Sequence, residues 1–366
     1  MIQLAYNNDT IRSMIKISSR QQNIYKYITA NAPVSNKQIV DYLSTKKKPI
    51  SRVTVIRDIE NLISSGLVKQ SGKGRGVVYQ EVVASPLLAY IDPETYFEFD
   101  PDNREVSFKE FNFDVFDLIT ADLFAEAELS ELEELNEGYR QRLKELSPAI
   151  VRKEYERLSI ELSWKSSQIE GNTYSLLDTE MLIKENKETP GHTKEEAVMI
   201  LNHKRALDYI LDNKDDFKNI TVAKIENLHQ LLVKDMDISR NIRQHAVGIT
   251  GTKYRPLDNE FQIVEALEKM INILNKASIN PIVRAFLSVL MISYIQPFED
   301  GNKRTARLLG NALLLANNYS SLSYRSVDES EYKKAMLLFY EQNNVRFFKD
   351  LFVKQFEFAV HNYFQI

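Results

Sequence analysis

Residues 281–316 carry the pattern of two helices joined by a polar loop. The stretch 281–295 (PIVRAFLSVLMISYI) is apolar on nearly every face, which is typical of a buried helix. Asn280 can cap this helix, and Pro281 suits its first position. Good helix formers return over 303–316, and the polar loop of residues 299–302 lies between the two. The pattern therefore predicts a buried helical pair with a polar corner.

Other apolar positions at helical spacing predict further helices. Ser147 and Pro148 are a capping serine followed by proline, so a helix should begin there and run to about Ile169, before Gly171. The other predicted helices are 115–125, 129–146, 195–211, 222–234 and 261–275. Residues 243–256, called the flap segment below, are instead rich in β-formers and predict a short hairpin. The aromatic, acidic stretch 90–114 is expected to be an ordered linker.

The first 85 residues follow a separate pattern of three helices and a hairpin. Helices are expected over 19–30, after Ser35, and from Ser51 to Gly66. Short strands at 67–70 and 77–80 flank the basic, glycine-rich tip of residues 71–76. This order resembles a winged helix-turn-helix. The resemblance places DNA contacts on the third helix and on the wing, at Arg52, Thr54, Arg57, Lys73 and Arg75. A winged helix used for protein contacts remains the alternative.

Charge separates this part from the rest of the chain. Residues 1–85 hold 13 Lys and Arg against 5 Asp and Glu, a net of +8, whereas the remainder has a net of −12. A basic module on an acidic body favours contact with duplex DNA through residues 1–85 alone. The 366 residues include no cysteine, which excludes disulfides, thiolate metal sites and a cysteine nucleophile and suits a cytoplasmic location. No apolar run is long enough to predict a transmembrane helix, and the start lacks the layout of a signal peptide.

The polar corner has the chemistry of an anion site. The first amides of the second helix and its positive dipole end attract anions there. Arg304 and Arg307 are three residues apart and share a helix face, while Asp300 is placed to hold a cation. These groups suit a polyphosphate with Mg²⁺, although a plain helix corner with solvated arginines fits the same pattern.

Two motifs resemble one family. Residues 296–307 (QPFEDGNKRTAR) resemble the Fic/Doc signature, His-x-Phe-x-Asp/Glu-Gly-Asn-Gly/Lys-Arg-x-x-Arg, with Gln296 in place of the catalytic histidine. Residues 166–171 (SSQIEG) resemble the family's inhibitory motif, Ser/Thr-x-x-x-Glu-Gly/Asn, with Ser166 and Glu170 at its key positions. The resemblance implies a mainly α fold, a Fic-type helical bundle with a β-hairpin flap, plus the N-terminal winged-helix (α+β) domain. The expected domains are residues 1–85, a linker with helices over 86–146, and a Fic domain over 147–366 with its inhibitory helix at about 148–171.

The resemblance also implies an activity, the transfer of AMP from ATP to a Ser, Thr or Tyr hydroxyl of a protein. Asp300 would hold Mg²⁺, and the amides of Gly301 and Asn302 would bind phosphate. Arg304 would bind the β-phosphate side, and Arg307 the γ-phosphate once Glu170 leaves. The flap would dock the target by strand addition through Val247, Gly248, Ile249, Thr250, Gly251 and Thr252. Lys303 and Tyr332 would contact the nucleotide, the latter at its base, and Phe298 would anchor the loop.

Two departures from the signature bear on this activity. Gln296 cannot accept a proton near neutral pH, so activity is expected to be weak or altered. Of the five histidines, only His245 at the flap entrance is placed to substitute as a base, and a structural role is the favoured alternative for it. Lys303 replaces the common glycine, and Doc-type members with lysine there are associated with phosphorylation instead of AMP transfer. The alternative is a non-catalytic, nucleotide-sensing regulator that binds DNA; a Doc-like toxin is a third hypothesis. A homodimer is one option for the assembly.

Overall fold

The structure is a computed structural model that describes residues 18–46, 50–64, 67–82, 85–119 and 123–365. The chain divides into two compact units. The first comprises Met1–Glu98 and Leu118–Glu128, and the second Phe99–Asp117 and Leu129–Ile366. Within the described ranges, no helix is long and apolar enough to cross a membrane.

The first unit contains the predicted helices and hairpin. Its elements are α1 (Ser19–Asn31), β1 (Val34–Ser35), α2 (Asn36–Lys46), α3 (Arg52–Ser64), β2 (Val68–Ser71), β3 (Val78–Glu81) and the short α4 (Pro93–Phe97). The antiparallel sheet has the order β1-β3-β2, and Val68 is opposite Glu81. Ile24, Val55 and Ile59 lie in the core of this unit. The elements agree with the predicted order, although the two strands of the hairpin begin one residue late and β1 is too short for a sequence pattern. Their assignment to a DNA-binding winged helix stays a prediction, and the predicted stop at Gly66 lies outside the described residues.

The tip of the β2–β3 connection requires glycine at position 72. Gly72 has φ +85°, and a Cβ atom there would lie 2.2 Å from the carbonyl oxygen of Gly76. A side chain would therefore force the tip open.

The helices that follow along the chain are α5 (Val115–Leu118), α6 (Glu126–Glu145), α7 (Pro148–Ile169), α8 (Leu176–Glu185), α9 (Lys194–Asp212), α10 (Val222–Leu232), α11 (Glu260–Leu274), α12 (Pro281–Ile295), α13 (Asn302–Ala316), α14 (Glu329–Gln342) and α15 (Arg346–Asn362). The predicted start of α7 is confirmed, because Ser147 accepts the amide of Ile150 and Pro148 opens the helix. The helix predicted over 115–125 is observed only as α5, and residues 120–122 lie outside the described ranges.

The predicted helical pair α12–α13 forms the centre of the second unit. Residues 282–295 of α12 are all buried, and in α13 only Lys303 is not. A Cβ atom on Gly310 of α13 would lie 2.8 Å from Cγ2 of Val289 in α12. The two backbones therefore approach closely, which fixes the loop between them.

Residues 99–117, called the strap below, lie on the body of the second unit, as expected for an ordered linker. The amides of Ser107 and Phe108 both donate to the carbonyl oxygen of Glu341, at 3.0 Å each. The Phe111 ring stacks on Tyr294, with 4.6 Å between centroids. Backbone and aromatic contacts together hold this segment in place.

The predicted hairpin of the flap segment is wrong. Residues 243–256 turn at Thr250–Gly251 but contain no paired strands, and their one described bridge joins Arg255 to Glu110. Arg243 and the strap instead form hydrogen bonds with backbone groups in and beside this segment. Arg243 donates to the carbonyls of His245 and Leu257, and the amide of Arg255 donates to Lys109.

Candidate active site

The α12–α13 loop begins at a strained residue. Gln296 ends α12 in the left-handed conformation, with φ 51°. Its side-chain Nε2 donates to the carbonyl of Ser293 at 2.6 Å, and its Oε1 accepts from Asn302 at 3.0 Å. Arg243 Nε donates to the Gln296 carbonyl at 2.6 Å. Gln296 is thus built into the loop, with both ends of its amide engaged.

Asn302 forms hydrogen bonds across this loop. Its Oδ1 accepts the amide of Phe298 at 2.8 Å, and its Nδ2 donates to the Phe298 carbonyl at 2.8 Å as well as to Gln296. Asn302 is buried. One amide side chain therefore satisfies backbone groups across the turn that would otherwise be buried without partners.

A histidine that the sequence analysis did not single out lies beneath the loop. The His229 ring stacks on Phe298, with 3.7 Å between centroids and 4° between planes. Its Nε2 lies 3.0 Å from the carbonyl oxygen of Asp300, so the tautomer with hydrogen on Nε2 donates there. Burial lowers the pKa of His229 to about 4, so the ring is neutral near neutral pH. The sequence feature that could have identified His229 is its place on the apolar face of α10.

The start of α13 presents positive groups. Gly301 adopts φ 78° before the helix, and the amides of residues 302–304 have no acceptor within it. Arg304 is buried and contacts Asp300, with 3.2 Å between Nη2 and Oδ2. Burial lowers the pKa of Arg304, although the guanidinium stays charged. Amides and an arginine therefore lie together at the predicted position, and anion binding there stays a prediction.

Glu170 pairs with Arg307 at the end of α7. Arg307 Nη2 lies 2.8 Å from Glu170 Oε1, and the same guanidinium donates to the hydroxyl of Ser166 at 2.9 Å and to its carbonyl at 2.8 Å. Burial opposes the charge on Glu170, but the attraction of Arg307 and Lys303 outweighs it and lowers the pKa of the carboxyl group. Both charges are therefore retained in a buried pair. The contact is the one that the resemblance predicts; its inhibitory role remains a prediction.

Glu170 has a second cation, which was not predicted. Lys303 Nζ lies 3.6 Å from Glu170 Oε2, so the two carboxylate oxygens face two different cations. Arg307 is fully buried, whereas the Lys303 side chain is 28% exposed.

A cavity of about 370 Å³ joins most of the predicted residues. Its lining includes Glu170, Val247, Gly248, Ile249, Thr250, Gln296, Asp300, Gly301, Asn302, Lys303, Arg304 and Tyr332. Gly251, Thr252 and His245 do not line it, and neither does the fully buried Arg307. The sequence analysis missed Glu299 and the α14 residues Lys333, Met336, Leu337 and Tyr340. The α14 set repeats at helical spacing around Tyr332, which is the signal that could have identified it.

Arg104 of the strap forms hydrogen bonds with both α14 and the flap segment, two elements that line the cavity. Its guanidinium forms two hydrogen bonds to the buried Glu341 of α14, at 2.8 and 3.0 Å, and a further one to the carbonyl of Gly251 in the flap segment. Arg104 and Glu341 are 237 positions apart. No local pattern could have paired them.

Asp300 is the predicted metal ligand. Asp300 is two-thirds exposed at the cavity, and no group of three His, Cys, Asp or Glu residues in the described ranges could hold a metal ion. One carboxylate suits Mg²⁺ only when phosphate oxygens complete the coordination. The residues present therefore fit a metal that arrives with a nucleotide.

The predicted DNA contacts lie on the first unit. Arg52, Arg57 and Lys73 are exposed, and Thr54 is half-buried with its hydroxyl 2.9 Å from that of Ser51. The side chain of Arg75 lies outside the described part of the chain. Exposure leaves these residues free to meet a ligand but does not identify one.

The family model and the curated relatives that match this chain all concern one family. Residues 219–314 match the model of the Fic/DOC family. A curated protein adenylyltransferase Fic of Nematostella vectensis is 31% identical over 182 residues, which are 46% of this chain and 40% of that protein. Its counterpart in Drosophila ananassae is 26% identical over 217 residues, 58% of this chain and 44% of the relative. The chain thus spans less than half the length of either relative.

Solved structures share the fold. A fragment of Caenorhabditis elegans Fic-1 superposes with a TM-score of 0.56 at 22% identity, covering 64% of this chain and 70% of that one. A Fic domain-containing signaling protein of Bacteroides thetaiotaomicron gives a TM-score of 0.54 at 20% identity, covering 63% of this chain and 94% of that one. The matched residues 219–314 contain the loop, Arg304 and Arg307 described above. This chain therefore contains a Fic/DOC family domain.

Proposed function

We propose that the cavity binds ATP and that the protein transfers AMP to a hydroxyl group of another protein, slowly and under restraint by Glu170. The observation that carries this proposal is the Glu170–Arg307 pair beside a cavity lined by Arg304 and the first residues of α13. The relatives named protein adenylyltransferase support the reaction type.

The α13 terminus would bind the phosphates. The amides at Gly301 and Asn302 and the buried guanidinium of Arg304 supply positive charge that needs no reorganisation when a phosphate arrives. Arg307 would bind the γ-phosphate after Glu170 leaves. Asp300 would hold Mg²⁺, whose charge would offset that of the phosphates. Tyr332, whose ring centroid lies 5.4 Å from the guanidinium carbon of Arg307, would also contact the nucleotide, at its base by the resemblance.

Gln296 provides no base for the proton of the acceptor hydroxyl. In AMP transfer the acceptor oxygen bonds to the α-phosphorus, the bond from that phosphorus to the bridging oxygen breaks, and pyrophosphate leaves. The hydroxyl proton must go to solvent, because Gln296 has no basic atom and both ends of its amide are engaged. Loss of a general base typically costs about 10²–10⁴-fold in rate.

The flap segment would dock the acceptor. Val247 to Thr250 line the cavity and have no strand partner in the described structure. An extended segment of the target could pair with them and bring its hydroxyl to the α-phosphate.

A second function is favoured by the engaged amide of Gln296. A Fic domain without a base can still bind nucleotide, and the first unit exposes Arg52, Arg57 and Lys73. The protein would then be a cytoplasmic DNA-binding regulator that senses nucleotide. Its DNA affinity should fall steeply with salt concentration, and a negligible salt slope with duplex DNA would rule out this role.

The test of transfer uses ATP labelled at the α- or γ-phosphate. The wild type is compared with Glu170→Gly and with Glu170→Gly/Gln296→His, each incubated with a cell extract. Protein labelled from α-labelled ATP by Glu170→Gly alone supports the transferase. Label only with the double variant shows a site that has lost its chemistry, and label from γ-labelled ATP shows phosphoryl transfer instead. Nucleotide binding without any transfer favours the sensor.

A further inference from the structure

Lys303 shares Glu170 with Arg307. The carboxylate directs Oε1 to Arg307 at 2.8 Å and Oε2 to Lys303 at 3.6 Å. The first contact is a hydrogen-bonded ion pair, whereas the second is an ion pair beyond hydrogen-bond distance. Glu170 is therefore restrained by two cations of different strength.

The two cations differ in freedom. Arg307 is fully buried and fixed by Ser166, whereas the Lys303 side chain is 28% exposed on a flexible stem and lines the cavity. When Glu170 leaves, Arg307 remains in place but Lys303 can reorient. A lysine ammonium is a compact charge with three rotatable donors, which suits a phosphate oxygen.

We propose that Lys303 exchanges partners, holding Glu170 in the restrained state and a phosphate group of the bound nucleotide in the released state. This inference rests on the proposed ATP binding and names a second restraint on the same site. In the restrained state Lys303 opposes nucleotide binding, because it stabilises the carboxylate that must leave. In the released state the same charge favours binding.

The two roles of Lys303 change ATP affinity in opposite directions, so the effect of removing it depends on residue 170. With Glu170 present, Lys303→Met should weaken ATP binding only about threefold, because loss of the restraining ion pair, which opposes binding about threefold, offsets part of the lost phosphate contact. In the Glu170→Gly background, Lys303→Met should weaken ATP binding about tenfold, as expected for a lost charged hydrogen bond. A purely structural role for Lys303 would give the same loss of affinity in both backgrounds.

Calorimetric titration with ATP and Mg²⁺ measures this cycle. Lys303→Met is prepared with and without Glu170→Gly, and Lys303→Arg, which retains the charge, should resemble the parent in both backgrounds. Lys333→Met is the matched control, since Lys333 lines the same cavity but forms no ion pair with Glu170 in the described structure. Its effect on ATP affinity should be the same with and without Glu170.

Each outcome decides the matter. A loss at Lys303 that is smaller with Glu170 than without it, together with an equal effect at Lys333 in both backgrounds, supports the exchange. An equal loss at Lys303 in both backgrounds makes it a phosphate ligand only, and tighter binding with Glu170 but no change without it makes it a restraint only; either result overturns the proposal. Failure of Glu170→Gly itself to bind ATP would instead refute the proposed function, and the inference with it.

Discussion

Replacing Asn302 with alanine would test whether its side chain determines the phosphate-binding loop. The change removes the acceptor of the buried Phe298 amide and the donor to the Phe298 carbonyl and to Gln296. An unsatisfied buried amide costs about 1–3 kcal/mol, and each of the other two hydrogen bonds contributes about 1 kcal/mol. The free energy of unfolding should therefore fall by about 4 kcal/mol, which for a unit of this size lowers the melting temperature by roughly 10 °C.

The assay combines thermal melting with titration of ATP in the Glu170→Gly background. Asn302→Ala should weaken ATP binding by at least about tenfold, because the α13 amides lose their fixed position. Asn311→Ala is the matched control. Asn311 is equally buried on α13 and bonds both backbone groups of Leu322, at 2.9 and 2.7 Å, away from the loop. It should reduce stability without reducing ATP affinity.

Equal ATP affinity of folded Asn302→Ala and its parent would show that these hydrogen bonds do not position the α13 amides. An equal loss of affinity in Asn311→Ala and Asn302→Ala would do the same. In that case loss of stability alone would explain the weaker binding, and the loop hydrogen bonds would have no specific role.

Two further predictions concern His229, which contacts the α12–α13 loop, and Arg104, which contacts the flap segment. The pKa of His229 is about 4 when folded against 6.5 for an ordinary histidine, so the unfolded chain binds this proton first and stability is lost as pH falls from 6.5 towards 4. His229→Phe should reduce that loss by about 3 kcal/mol in denaturant titrations at the two pH values; an unchanged loss would refute the assignment. Arg104→Met breaks the buried pair with Glu341 and the contact with Gly251, so hydrogen exchange should rise at residues 247–254. Exchange that rises only elsewhere would show that the strap does not hold the flap segment.

Local patterns were sufficient for most of the helices, although the helix predicted over 115–125 is observed only over Val115–Leu118 and two further helices, Leu176–Glu185 and Arg346–Asn362, were not predicted. The all-round apolar stretch gave α12, and the Ser147–Pro148 pair gave the start of α7, because helix burial and capping depend on neighbours in sequence. The contact between Glu170 and Arg307 came from a motif resemblance and agrees with the structure.

Contacts distant in sequence could not be predicted. The β-formers of residues 243–256 suggested a hairpin, yet Arg243 and the strap bind backbone groups of that segment instead. A local propensity carries no information on such partners. The same limit hid the Lys303–Glu170 ion pair, whose second cation follows only from the way α7 meets α13.

In the proposed restraint, Glu170 holds Arg307 in place of the γ-phosphate of ATP. Titration of the wild type and Glu170→Gly with ATP and with ADP tests it directly. Releasing Arg307 should tighten ATP binding by at least about tenfold, since each factor of ten needs only about 1.4 kcal/mol. ADP affinity should change little, because ADP has no γ-phosphate. An equal gain in affinity for both nucleotides would contradict this role of Glu170.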